Sequence, residues 1–222
     1  IDKIPWPDWI TFPIEPYLDN AVSFGPGSGR NMPILASRGC PYECTFCSNP
    51  LMFGRRYYVR EINDLINQIK YYIERYKITG LQFYDLTAIV KKKWVLEFCE
   101  ALKENNINLE WSLPSGTRSE ALDLEVIKAL ASVNLKYLVY APESGSVKTL
   151  ALIKKKIKIP AVEQSVKYAV SQKIVVRTNL IIGFPGETRL QVYRTLYQQI
   201  KFAFMGVEDA PTYYFNAYPG TE

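Results

Sequence analysis

The sequence predicts an α/β fold in which a parallel sheet carries its reactive groups along one end. Three observations lead there. Six short apolar runs alternate with stretches of helical period, the pattern of repeated βα units. The 222 residues are 48% hydrophobic and 14% aromatic, enough to bury one substantial core. A cysteine-rich loop and several polar segments fall just after apolar runs, where a parallel α/β sheet places its sites.

The elements follow in order. Residues 1–30 hold Pro5, Pro7, Pro13, Pro16 and Pro26, a Gly/Ser stretch from Gly25 to Gly29, and two tryptophans, Trp6 and Trp9. This composition predicts an ordered, aromatic-anchored linker that is neither helix nor sheet. Strand-like runs then cover Met32–Ala36, Gly80–Leu86, Asn108–Leu113, Tyr137–Ala141, Ile174–Ile182 and Thr212–Ala217. Helical runs separate them at Glu61–Tyr76, Lys93–Asn105, Asp123–Ser132, Ala161–Ser171 and Thr188–Phe204. Ile62, Leu65, Ile66, Ile69, Tyr72 and Ile73 repeat at helical spacing, as do Val95, Phe98, Cys99 and Leu102. Right-handed crossovers curl such a sheet towards a barrel. Alternation alone allows a doubly wound sheet equally well.

Composition narrows the functional classes. A net charge of +5 is too mild to demand nucleic acid. Lys91–Lys93 opens a helix, and Lys154–Lys156 with Lys158 lies near a helix end. Both runs read as solvated surface, with an anionic partner or substrate as the alternative. No stretch of eighteen apolar residues and no signal-peptide pattern is present, so a membrane span is not expected. Four cysteines, three of them clustered, argue for a reducing cytoplasm rather than a disulfide framework. The chain starts at Ile1 and stops after a strand-like segment, and it reads as a piece of a longer protein, truncated towards its C-terminal end.

The run Ser37-Arg38-Gly39-Cys40-Pro41-Tyr42-Glu43-Cys44-Thr45-Phe46-Cys47 carries the strongest signal. Its three thiols have C-x3-C-x2-C spacing, and Gly39 and Pro41 make it a turn in which they can converge. Thiolates are soft ligands for iron–sulfur clusters, zinc or copper(I). A cubane cluster takes four protein ligands when complete, so three cysteines point to one open iron. The alternative is a structural zinc knot completed by Cys99 or an outside residue. Zinc sites usually pair two cysteine halves or use His, and this chain has no His. Cys99 sits on an apolar helical stripe and reads as a buried small hydrophobe.

The cysteine run, with Phe46 directly before the third cysteine, resembles that of the radical S-adenosylmethionine (SAM) superfamily. The resemblance extends from about Asn31 to the C-terminus. It implies an open (β/α)6 TIM-like barrel and a [4Fe–4S] cluster on Cys40, Cys44 and Cys47. It also implies SAM chelated to the open iron and cleaved there to methionine and a 5′-deoxyadenosyl radical. An electron donor of flavodoxin or ferredoxin type and a small-molecule substrate go with that chemistry.

Later strand ends offer SAM contacts under the same resemblance. Asp85 would accept hydrogen bonds from the SAM amino group, or else cap a helix. Ser115-Gly116-Thr117-Arg118 reads as a turn whose Arg118 would pair with the SAM carboxylate, or else form a surface ion pair. Glu143-Ser144-Gly145 resembles a segment that approaches the methionine or ribose portion, with helix capping by Ser144 or Ser146 as the alternative. Asn179–Glu187 resembles a stretch that packs on adenine, although Asn179 stands where that pattern has glycine. There Ile181 would supply an apolar face and Gly183 close backbone approach, while Phe46 would lend its backbone or simply pack.

The segment Ile4–Trp9 followed by Pro16-Tyr17-Leu18 resembles the connector after a cobalamin-binding domain. That implies a cobalamin-dependent methyltransferase or cyclase, with cobalamin bound mainly by an upstream domain. A cobalamin-independent enzyme such as a methylthiotransferase is the alternative.

Overall fold

The computed structural model describes residues 4–27, 29–87, 89–118 and 122–222. In chain order, helix α1 (Glu15–Asp19) precedes strand β1 (Asn31–Ile34). Next come β2 (Ser37–Arg38), α2 (Asn49–Met52), β3 (Tyr58–Val59), α3 (Ile62–Tyr76), β4 (Gly80–Phe83) and α4 (Lys92–Glu104). The second half runs β5 (Glu110–Thr117), α5 (Leu124–Ser132), β6 (Leu135–Glu143), α6 (Val147–Leu152) and α7 (Ile159–Ser171). It finishes with β7 (Val175–Ile182), α8 (Arg189–Phe204) and β8 (Thr212–Tyr214).

Six strands form one sheet in the order β1-β4-β5-β6-β7-β8, and every neighbouring pair is parallel. A doubly wound sheet reverses its order at a switch point. This one does not, so successive right-handed crossovers stack their helices on a single face and the sheet curls as a partial barrel. Neighbouring helices α3, α4, α5 and α7 pack against one another along that face. The core lies between them and the sheet, where Met32, Leu81, Phe83 and Trp111 meet Leu65, Ile69 and Phe98.

The N-terminal segment is fastened by its aromatics. The Trp6 Nε1 donates to Asp64 (3.1 Å) and the Trp9 Nε1 to the Tyr72 hydroxyl (2.9 Å), both on α3. Further on, the Phe24 backbone exchanges two hydrogen bonds with the Gln82 side chain (3.1 and 3.0 Å). Gln82 alternates with the core residues Leu81 and Phe83, so Phe24 lies against the inner face of the sheet. A side chain at Gly25 would meet the Tyr137 ring 2.4 Å away, which leaves room for glycine alone.

Three expectations change. The linker contains a helix after all, the five-residue α1, whose Pro16 sits in the first turn where no amide hydrogen is needed. Ser115–Thr117 is strand rather than turn, because β5 continues to Thr117; β6 likewise continues to Glu143. Helix α6 is too short to show a helical period, and it is capped by the Ser146 hydroxyl, which accepts from the Thr149 amide (3.3 Å).

Candidate cofactor site at the cysteine loop

The cysteine loop leaves the C-terminal end of β1 and is framed by the antiparallel pair β2 and β3. Gly39 opens it at φ +83°, and a Cβ there would fall 2.0 Å from the Arg56 carbonyl oxygen. Cys44 is buried, while Cys40 and Cys47 are half-buried. The Cys47 amide donates to the Cys44 carbonyl (3.1 Å), which closes the turn between them. The Asn49 amide nitrogen donates to the Cys40 carbonyl (3.3 Å). All four cysteines are free thiols. Cys99 lies in the core on α4, fully buried, with its thiol pushed up to about 12 by that burial. It has no part in the loop.

Residues at the ends of β5 and β6 reach this loop. Arg118, just past β5, lies over the Tyr42 ring at 3.5 Å and donates to the Lys156 carbonyl (2.8 Å). Glu143, the last residue of β6, accepts from the Lys155 ammonium at 2.9 Å, and both side chains are buried. Burial pushes the Cys40 and Cys44 thiols up, while the cations of Arg118 and Lys155 pull both back down without cancelling it. Glu143 adds to the upward push on Cys44. The loop is therefore an enclosed, partly cationic setting, suited to thiolates that are stabilised by a metal centre.

The Glu143-Ser144-Gly145 turn is built by its neighbours. Glu143 has φ +65°, a left-handed conformation uncommon for a side chain of this size. The Ser144 hydroxyl pairs with the Thr195 hydroxyl (2.8 Å), and the Gly145 amide donates to Thr195 as well (3.2 Å). A Cβ on Gly145 would lie 2.4 Å from the Arg194 carbonyl, so glycine lets α8 approach.

An apolar shelf forms the other side. Phe46 packs on Phe184 (5.6 Å between ring centres), and Phe184 on Phe215 (5.2 Å). Ile181, Leu150 and Ile153 complete the group. Gly183 has φ +86° with open space where a Cβ would stand, and its amide donates to the Glu187 carboxylate (2.7 Å).

Asp85 is placed differently from the expectation. It is fully buried behind the loop and caps no helix. Its two oxygens accept from the Ala36 amide (3.0 and 3.1 Å), and one also accepts from the Ser37 amide and hydroxyl. Burial outweighs those hydrogen bonds and raises the carboxyl to about 6. Asp85 braces the start of the cysteine loop.

The residue missed in the sequence is Lys155, read there as solvated. Lys154 is indeed exposed and pairs with Glu222, but Lys155 is buried beside Glu143. Segment 153–156 ties the site together: the Ile153 carbonyl accepts from the Thr45 amide (3.1 Å), Lys155 holds Glu143, and the Lys156 carbonyl holds Arg118. A signal was available. Lys155 falls in phase with Ile153, Ile157 and Ile159, at alternate positions that turn inward.

A cavity of about 570 Å3 adjoins the site at the start of the loop. Its walls include Trp6, Trp9, Leu35, Phe53 and Tyr84, and it reaches the start of the loop at Ser37, Arg38 and Gly39 together with the bracing Asp85.

Among the described residues, no three His, Cys, Asp or Glu side chains are placed to hold a single metal ion. Three soft thiol donors on one short loop, in a chain with no His, are a donor set suited to an iron–sulfur cluster.

The sequence model of the radical SAM superfamily matches residues 34–196, which takes in the cysteine loop and the C-terminal ends of β1, β4, β5, β6 and β7. The chain belongs to this superfamily. An uncharacterized methyltransferase of Pyrococcus horikoshii is 30% identical over the whole chain, which covers 46% of that protein. The cytidylyl-2-hydroxyethylphosphonate methyltransferase of Streptomyces wedmorensis is 28% identical over 188 residues, 83% of this chain and 35% of that protein. Among solved structures, the radical SAM methyltransferase TsrM of Kitasatospora setae, determined with cobalamin and a [4Fe–4S] cluster bound, superposes with a TM-score of 0.72. It is 18% identical, and the match covers 85% of this chain and 35% of TsrM. The chain thus spans less than half the length of these relatives. The likeness to TsrM shows a shared fold, the partial barrel derived above.

Proposed function

We propose that this chain is the SAM-cleaving core of a cobalamin-dependent methyltransferase or a related carbon-radical enzyme. The observation that carries the reading is the convergence of Arg118 and the Glu143–Lys155 pair on a three-cysteine loop at the mouth of a radical SAM fold. A [4Fe–4S] cluster on Cys40, Cys44 and Cys47 would supply the electron that cleaves SAM to methionine and a 5′-deoxyadenosyl radical.

The chain's own residues supply position and shelter. Arg118 and Lys155 offer cations for a carboxylate, and Glu143 an acceptor for an ammonium or hydroxyl group. Phe46, Ile181 and Phe184 form an apolar floor fit for a nucleobase, and the open backbone at Gly183 lets it approach. The same floor keeps water from a reactive radical. Asp85 acts one step back, as a brace of the loop.

The methyltransferase names of the relatives and the cobalamin bound to TsrM favour the cobalamin-dependent reading, with the corrin held mainly by residues outside this chain. A small-molecule substrate, an electron donor of flavodoxin or ferredoxin type and a cytoplasmic setting complete it. No helix among the described residues is long and apolar enough to cross a membrane. Anaerobic reconstitution tests the core: the account expects about four iron and four sulfide per chain. A single zinc and no sulfide would overturn it. Corrin retained by the longer protein tests the cobalamin step, and its absence at full iron loading would remove that step alone.

A further inference from the structure

Helix α8 is oriented unlike the other long helices. Helix α3 buries Leu65, Ile66, Ile69 and Tyr72, and α4 buries Val95, Phe98, Cys99 and Leu102. Helix α8 instead buries Gln191, Thr195, Gln198 and Phe202. Its polar inner face has work there: Thr195 holds the Ser144–Gly145 turn, and Gln198 donates to Glu163 (2.9 Å). Five apolar residues face outward. Leu190 is 61% exposed, Tyr193 65%, Tyr197 64%, Ile200 54% and Phe204 89%.

Their spacing identifies what fits. Positions 190, 193, 197, 200 and 204 alternate steps of three and four, the narrow seam by which one helix packs along another. At 1.5 Å per residue the seam is about 21 Å long. A bilayer favours a broad apolar face, which this is not. The rim carries charge of one sign. Helix α8 has no Asp or Glu, Arg189 and Arg194 are exposed, and Lys201 is engaged with Glu163. A second copy of the chain would bring cations against cations. Tyrosine and arginine together are also the composition of strong protein contacts.

We propose that the outer face of α8 is a docking surface for an acidic amphipathic helix of a separate polypeptide, its apolar seam flanked by carboxylates. The partner would seat on Leu190, Tyr193, Tyr197, Ile200 and Phe204, and its carboxylates would meet Arg189 and Arg194. Because the inner face of the same helix grips the Ser144–Gly145 turn, such a partner would sit one helix away from the cysteine site.

The test uses the intact chain and two synthetic three-heptad peptides with leucine at both seam positions, one flanked by glutamates and one by lysines. Like charges on both flanks keep each peptide from pairing with itself. Fluorescence anisotropy should show saturable binding of the glutamate peptide and at least tenfold weaker binding of the lysine peptide. Tyr197→Glu should weaken the glutamate peptide at least tenfold, and Arg194→Glu should shift the preference towards the lysine peptide. Equal binding of both peptides, or of neither, overturns the proposal. So does a dimer in sedimentation velocity that Tyr197→Glu disperses, which would assign the seam to a second copy. Cosedimentation with phosphatidylglycerol vesicles that Tyr197→Glu abolishes would assign it to a lipid surface and likewise overturn the proposal. The two peptides on the unaltered chain test the charge preference even where a variant fails to fold, and loss of glutamate-peptide binding in the longer protein would assign the seam to that protein's own remaining residues and overturn the proposal.

Discussion

Two buried carboxylates stand at strand ends, Asp85 beyond β4 and Glu143 at the end of β6, and they are held in opposite ways. Asp85 is surrounded by backbone and hydroxyl donors from Ala36 and Ser37, and no ion pair joins it to a cation among the described residues. Burial lifts it to about 6. Glu143 faces the Lys155 ammonium at 2.9 Å, in a backbone conformation maintained by the Ser144–Thr195 contact. On the sequence the two look alike, as acids after apolar runs. Their partners separate them: one braces the cysteine loop from behind, and the other belongs to the charged wall beside it.

Removing a partner should hurt most on the Glu143 side. Lys155→Ala leaves a buried carboxylate uncompensated, a change that typically costs about 3–5 kcal/mol. Urea unfolding should register that loss, and Glu143→Gln added to Lys155→Met should recover most of it. If the double variant is as unstable as Lys155→Ala, the two groups are not coupled and the contrast with Asp85 fails.

The Asp85 side should show itself through pH. A carboxyl raised in the folded state contributes stability that is fully present below its unfolded value near 4. That contribution is lost as pH rises through about 6. The change over that window is about 3 kcal/mol at most, at 1.36 kcal/mol per pKa unit. Asp85→Asn should lack this component, so the stability difference between variant and wild type should move in the variant's favour from pH 4 to 6 and then level off. Parallel curves would show that Asp85 is not buried as a raised acid.

A smaller effect is expected where α8 holds the turn that follows β6. Thr195→Val removes the hydroxyl that holds Ser144 and Gly145, for a cost of about 1–3 kcal/mol. Because that contact fixes the turn bearing Glu143, the variant should also bind SAM more weakly in equilibrium dialysis of reconstituted protein. Loss of stability with unchanged SAM binding would confine Thr195 to packing.

The comparison also explains what the sequence could reveal. Strand and helix alternation was legible because the core faces of β4, α3 and α4 are apolar at regular intervals. The mouth was less so. Ser115–Thr117 and Pro142–Glu143 continue their strands as polar or turn-like residues, since strand ends that face a site need not be apolar. Arg118, Glu143, Phe46 and Ile181 were named from the sequence, and the structure brings them around the cysteine loop or its apolar shelf. Asp85 is legible as a polar group after a strand, but its partners, Ala36 and Ser37, are set by tertiary packing. Lys155 shows its inward phase with Ile153 and Ile157, but its role depends on a tertiary partner, Glu143, twelve residues away. The outward seam of α8 was hidden for a related reason: periodicity marks an apolar face, and only packing tells which way it points.

The central claim is that the loop of Cys40, Cys44 and Cys47 makes this chain a SAM-cleaving core, and one product measurement addresses it. Anaerobically reconstituted protein, given dithionite and SAM, should release 5′-deoxyadenosine. Cys44→Ala should abolish that release, and Cys99→Ala, in the core of α4, should leave it unchanged. Release that persists in Cys44→Ala would contradict the account.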